Sequence, residues 1–290
     1  MKILFVTSNR LGDAVLSTGL LDHLIRTCPR ARITVVCGPV AEGVFARMPN
    51  RDRTIVLRKQ SWGRHWLPLW ADVAMHVWDL VVDIRGSALS WLVPTRRRRV
   101  FRRGAGPKVA QLGAILGLAP PPSPVVWTDE ADRRHVSSLL PVDRAIVVLA
   151  PTANWAPKVW PAECFALAFR GLTEFRFPNA VAAVLGGPGS AERNLAAPLL
   201  AALPEAIDLV GVLSLAEAAS VLQRTSLFIG NDSGLMHLSA AAGAPTIGLF
   251  GPTDASTYGP SGRCATAVVA ATMNDISVQQ VLQAAATLLT

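Results

Sequence analysis

Ser226-Leu227-Phe228-Ile229-Gly230-Asn231-Asp232-Ser233-Gly234-Leu235-Met236-His237-Leu238-Ser239-Ala240-Ala241-Ala242-Gly243 changes character in its middle. Ser226–Ile229 (SLFI) is a short apolar run of the kind that forms a buried parallel strand. A polar turn follows, and a small-residue helix is expected at once over Ser233–Ala242. A strand feeding a helix through a tight polar turn is the unit of a doubly wound α/β sheet, whose ligands sit at the carboxyl ends of the strands. The first N–H groups of such a helix have no partner inside it, and the helix dipole adds positive potential there. The turn is therefore an anion site. Ser233 adds a hydroxyl, Gly234 lets a phosphate approach the backbone, and His237 returns to the face of Ser233 one turn later. The competing reading is that Asp232 or Ser233 only caps the helix and that His237 is a packed histidine.

The same rhythm runs outward in both directions. Strands are expected at Ala145–Ala150, Val181–Gly186, Ile207–Val210 and Thr246–Phe250. Helices are expected at Pro161–Phe175, Ala191–Leu203, Leu215–Gln223 and Ser277–Leu289. The first half starts with Lys2–Thr7 (KILFVT), continues with a helical pattern from Asp13 to Cys28, and adds strands at Ile33–Cys37, Thr54–Leu57 and Leu80–Ile84. Pro120–Pro124 reads as a stiff linker or domain edge, and Asp129–Leu140 as a helix. The expected architecture is two Rossmann-like parallel-sheet domains, 1–140 and 141–290, facing across a cleft. The last helix is a candidate for packing back toward the N-terminal domain.

Composition narrows the function. The 290 residues are 51% hydrophobic and 17% charged, which builds cores and excludes a disordered chain. No stretch reaches the ~18–20 apolar residues of a membrane span, and Met1–Thr7 is too short for a signal peptide, so a cytoplasmic protein is expected. Cys28, Cys37, Cys164 and Cys264 are far apart and form no CxxC, which argues for buried free thiols and against a zinc site. The net charge of +8 is uneven: residues 1–145 hold 22 Lys and Arg against 11 Asp and Glu, and residues 146–290 hold 6 against 9. The first half is expected to meet an anionic partner.

Four further segments can carry chemistry. In Pro151–Pro161 (PTANWAPKVWP), Thr152 and Asn154 offer hydrogen bonds, and Lys158 can reach a pyrophosphate as a point charge. In Asn9–Asp13, Asp13 is placed at a helix start, where an Asp is also a common cap. Gly186-Gly187-Pro188-Gly189 with Glu192 is a tight strand-to-helix turn with a ribose contact as its second reading. Arg96–Arg103 holds six arginines in eight positions, as a solvated face, a nucleic-acid patch or a binder of phosphate and carboxylate groups. GxGxxG, Walker A and GxSxG motifs are absent.

Together, RLGD (Arg10–Asp13), Pro151–Pro161, LGGPGSAE (Leu185–Glu192) and NDSGLMHLSAAAGAPTIGLFGPTD (Asn231–Asp254) resemble glycosyltransferase family 9, the heptosyltransferases of lipopolysaccharide core assembly. The resemblance implies a GT-B fold. It implies inverting, metal-independent transfer of heptose from an ADP-activated donor to an anionic glycolipid acceptor of the lipid A and Kdo type, at the cytoplasmic face of the inner membrane. It gives the N-terminal domain the acceptor and the C-terminal domain the nucleotide sugar. Asp13 resembles the general base and Lys158 the cation at the leaving diphosphate. Ser233 and Gly234 would hold phosphates, with His237 nearby. Asp232 would meet the sugar, Thr152 and Asn154 would line the pocket, and Glu192 would meet the ribose. Arg10, Arg96, Arg97, Arg98 and Arg99 are the expected acceptor contacts. No metal site and no nucleic acid are expected. The alternatives are a GT-B enzyme with another nucleotide sugar or glycan acceptor, and a non-enzymatic anion- or nucleic-acid-binding protein.

Overall fold

The computed structural model describes residues 1–290 and divides into two compact units, Met1–Trp127 and Thr128–Thr290. The boundary precedes the expected 140/141. Helix Glu130–Leu139 belongs to the second unit because it packs on helix Leu215–Gln223, with His135 Nδ1 2.5 Å from Glu217 Oε1. Redrawn at Trp127, the first unit holds 19 Lys and Arg against 7 Asp and Glu, a net +12. The second holds 9 against 13, a net −4.

The first sheet contains β1 (Lys2–Val6), β2 (Arg32–Cys37), β3 (Arg51–Val56), β4 (Leu80–Asp83) and β5 (Arg98–Val100), in the order β3-β2-β1-β4-β5. The second contains β6 (Ile146–Ala150), β7 (Val181–Gly186), β8 (Ile207–Val210), β9 (Leu227–Asn231), β10 (Thr246–Phe250) and β11 (Ala265–Val269), in the order β11-β10-β9-β6-β7-β8. Every pairing is parallel. Both sheets have the doubly wound order, reversing direction between β1 and β4 and between β6 and β9. A ligand crevice opens at the carboxyl ends of the strands at such a reversal. β6, β7, β9 and β10 are buried along their whole length, as central parallel strands covered on both faces must be.

Several elements depart from the expected ones. The first helical pattern breaks into Leu11–Leu16 and Thr18–Thr27. At the break, Ser17 Oγ donates to Ala14 O and Thr18 Oγ1 to Val15 O, each at 2.7 Å, local bonds that compete with the helical ladder. The proline segment is not a free linker. It lies on the first unit, where Val125 N donates to Thr18 Oγ1 at 2.8 Å and a Cβ on Gly19 would come within 2.5 Å of Pro122 O. The last helix, Val278–Leu288, packs on helix Ala162–Phe175 and β11 of its own unit. Of the four thiols only Cys37 is buried, and burial pushes its pKa to about 12; the others are half-buried. No helix is long and apolar enough to cross a membrane.

Trp160 anchors the second core. It is fully buried, meets Phe165 edge-on at 4.9 Å, and donates its indole N–H to Ile276 O at 3.0 Å. Trp160→Phe is expected to destabilise the protein by about 1–3 kcal/mol, through the lost ring volume and the unpaired Ile276 carbonyl. Urea unfolding measures this, and a parental midpoint would show that the indole bond is not part of the core's stability.

Candidate active site

In the second unit the loop after β6 and the turn after β9 meet where the strand order reverses. Asn231, fully buried, ties them together. Its Nδ2 donates to Pro151 O at 2.8 Å, and its Oδ1 accepts from Trp160 N at 3.1 Å. That lock holds Lys158, at the end of the short turn Ala156–Lys158, over the crevice. Lys158 Nζ lies 2.5 Å from Asp232 Oδ2, an ion pair between residues 74 apart in sequence. The sequence assigned the two residues separate tasks; the structure pairs them.

Asp232 is engaged by Lys158, and Ser233 is the N-cap residue of helix Gly234–Ala242 yet makes no side-chain cap bond. Ser233 Oγ is buried and has no hydrogen-bond partner. The plain capping reading of this turn therefore fails. The first N–H groups of the helix are left without a side-chain acceptor, beside a lysine and an unengaged hydroxyl, an arrangement complementary to a phosphate. His237 is buried one turn further on, and Thr152 is buried directly after β6. Asn154 is exposed on the loop. Glu192, in the first turn of helix Ser190–Ala202, accepts from Gly187 N at 3.0 Å through Oε2, closing the glycine turn after β7.

In the first unit, Asp13 lies in the first turn of helix Leu11–Leu16, half-buried, and Ser8 Oγ donates to its Oδ2 at 3.3 Å. The N-cap residue is Arg10, whose side chain is exposed, so Asp13 is not a cap. Across the reversal, Asp83 at the end of β4 accepts from Arg85 N, Gly86 N, Ser87 N and Ser87 Oγ at 2.6–3.1 Å. The turn it fixes sends Arg85 toward the loop after β1, where Arg85 Nη1 donates to Asn9 Oδ1 at 3.3 Å. Lys108 stacks over Phe101 at 4.0 Å. Burial pulls its ammonium below the usual lysine range and Arg103 adds to this, while the charge of Asp13 opposes it.

The family model for glycosyltransferase family 9 (heptosyltransferase) matches residues 108–285, more than half of the chain. The chain belongs to glycosyltransferase family 9. Lipopolysaccharide heptosyltransferase 1 of Pseudomonas aeruginosa is 28% identical over an alignment covering 91% of this chain and 82% of that protein. Among solved structures, the Escherichia coli ADP-heptose lps heptosyltransferase II superimposes with a TM-score of 0.80 at 21% identity, covering 100% of this chain and 98% of that one. The E. coli heptosyltransferase WaaC with ADP gives 0.78 at 19%, covering 99% and 100%. The fold is of the GT-B type and the protein is a glycosyltransferase.

The arginine run of this family 9 enzyme is divided by the fold. Arg96 pairs with Asp79 at 3.2 Å, and Asp79 in turn accepts from Lys2 N at 2.7 Å. Both partners precede or begin strands, so Arg96 is at the amino edge of a parallel sheet, the end opposite Asp13. Arg98 is spent on the fold. It donates to Ser90 O and to Val93 O and lies 4.9 Å over the Trp91 ring. Arg97 and Arg99 are exposed, on β5 or directly before it. Cations at the carboxyl end include Arg10, Arg85, Arg103 and Lys108; Arg103 and Lys108 belong to the basic run noted in the sequence, and Arg85 was not singled out there. An Asp ending a buried strand before Arg-Gly was the available signal for Arg85.

Proposed function

We propose that this transferase moves heptose from ADP-heptose to an anionic sugar of the lipopolysaccharide inner core, with inversion and without a metal ion, at the cytoplasmic face of the inner membrane. The carrying observation is the helix start at Ser233–Gly234, whose N–H groups and buried hydroxyl have no acceptor of their own and stand beside Lys158. The names of the relatives and neighbours supply the heptose, the ADP and the lipopolysaccharide.

In this reading the Asp13 carboxylate removes the proton from the acceptor hydroxyl as its oxygen attacks the anomeric carbon. The bond from that carbon to the diphosphate breaks, and charge gathers on the departing phosphate. Lys158, Ser233 Oγ and the first N–H groups of the helix meet that charge in a fixed geometry. One displacement from the opposite face inverts the carbon. Asp232 meets sugar hydroxyls, Glu192 the ribose through its second oxygen, and Thr152, Asn154 and His237 the pocket wall. For the acceptor's anionic groups, Arg10, Arg85 and Lys108 replace Arg96 and Arg98.

Thermal melting with ADP-heptose, UDP-sugars and GDP-sugars tests the donor. A true donor at a hundred times its Kd stabilises the native state by about 2.7 kcal/mol. Stabilisation by a UDP- or GDP-sugar alone would overturn the ADP assignment. EDTA is expected to leave turnover unchanged, because the leaving charge is met by an ammonium and N–H groups and no three His, Cys, Asp or Glu side chains converge as a metal cluster. A lost rate restored by added Mg²⁺ would contradict this.

A further inference from the structure

The first unit carries an apolar outer face that the chemistry above does not use. Helix Trp66–Ala74 reads WLPLWADVA and is apolar on nearly every side. Leu69 and Val73 fill the core, whereas Leu67 is 69% exposed and Trp70 also faces outward. A surface helix whose one charged residue, Asp72, is paired with Arg53 and whose other outward side chains are apolar signals that its outer side meets something other than water. Its neighbours continue the face. Trp70 Nε1 donates to Leu92 O at 2.9 Å, joining helix Leu89–Leu92, where Leu92 is 63% exposed and Trp91 is likewise exposed. Trp62, in the turn before, is 98% exposed and holds a left-handed backbone at φ 58°. That conformation is costly for a bulky residue and marks a position held for a purpose.

The charge around this face decides what covers it. From Arg53 to Ala71 the sequence holds four cations and no carboxylate; Arg58, Lys59 and Arg64 are exposed, and Arg53 Nη1 pairs with Asp72 of the helix at 3.0 Å. Indole rings and leucines flanked by exposed Arg58, Lys59 and Arg64 are the composition of a surface that sits at the headgroup boundary of an anionic bilayer. The face also adjoins the crevice. Arg85, which bonds Asn9 beside Asp13, lies 5.4 Å over the Trp66 ring.

We propose that Trp62, helix Trp66–Ala74 and Trp91–Leu92 form an interfacial anchor that seats the first unit on an anionic phospholipid bilayer. The anchor presents the carboxyl-end crevice to groups projecting from the lipid surface. Only this second part rests on the lipid-borne acceptor of the preceding reading.

The test is flotation of the intact protein, without donor or acceptor, on phosphatidylcholine vesicles with and without phosphatidylglycerol. The parent is expected to float with the anionic vesicles and much less with the neutral ones. Trp62→Ser/Leu67→Ser/Leu92→Ser replaces only exposed side chains, so its melting temperature should match the parent, and its partition should fall by about tenfold or more. Arg58→Gln/Lys59→Gln/Arg64→Gln should abolish the preference for phosphatidylglycerol and its salt dependence. Should the triple variant melt lower, parental tryptophan quenching by brominated lipid, reduced in Trp62→Tyr, carries the test instead. A parent that ignores anionic vesicles, or an apolar variant that floats like the parent, overturns the anchor. So does a parent that is dimeric in solution and becomes monomeric on the same substitutions, because the face then joins two copies. Transfer to a deacylated, water-soluble acceptor reports on the enzymatic reading separately.

Discussion

Asp13→Asn is expected to lower turnover by about 10²- to 10⁴-fold, the range for removing a general base. The carboxamide keeps the shape of the side chain and a bond to Ser8 Oγ, so only the capacity to take a proton is lost. Fold stability should move little. Arg10, not Asp13, occupies the N-cap, and an acidic charge in a first turn contributes about 0.3–1 kcal/mol. Donor affinity should be parental, since Asp13 belongs to the first unit and the helix-start anion site to the second. A parental rate would reduce Asp13 to a helix-end charge.

Lys158→Ala should lower kcat/KM by about 10²- to 10³-fold, the scale for losing a preorganised contact to developing charge. Part of the loss belongs to the ground state, so ADP affinity should fall as well. Interpretation requires Asp232, because the substitution leaves its carboxylate without the partner 2.5 Å away. Removing one member of a shielded pair is destabilising on its own account. Lys158→Ala/Asp232→Asn should therefore recover the melting temperature but not the rate, and the cycle separates structural from catalytic coupling. Unchanged ADP affinity together with an unchanged rate in the single variant would remove Lys158 from the site.

The strands of both sheets were legible where they are buried on both faces, because the apolar runs are then continuous. β5 was hidden inside Arg98-Arg99-Val100, where charge masks a short edge strand whose Arg98 is held by neighbouring carbonyls. β11, Ala265–Val269 (ATAVV), is a half-exposed edge strand whose run is short, alanine-rich and interrupted by Thr266. Asp232, Ser233 and Lys158 stand out in the sequence by type and position, and the structure pairs Lys158 with Asp232. Their pairing was not readable, since it depends on Asn231 locking two loops far apart in sequence. The division of the arginine run was not readable for a related reason. A linear cluster says nothing about which end of a parallel sheet it occupies, and Arg96 occupies the end away from Asp13.

In the proposed donor reading, the Lys158–Asp232 pair makes occupancy of the site an exchange of partners. An incoming phosphate that draws the ammonium toward itself strips a carboxylate whose side chain is only 9% exposed and has little water to turn to. That carboxylate needs a hydrogen-bond donor in return. A nucleoside diphosphate alone brings acceptor oxygens to the ammonium and nothing to the acid, whereas a diphosphate bearing a sugar brings hydroxyls as well. After transfer the sugar has gone, the acid reclaims the lysine, and the spent nucleotide loses its counterion. In that reading the same two side chains weigh the whole donor against its own leaving group, favouring entry of the one and departure of the other.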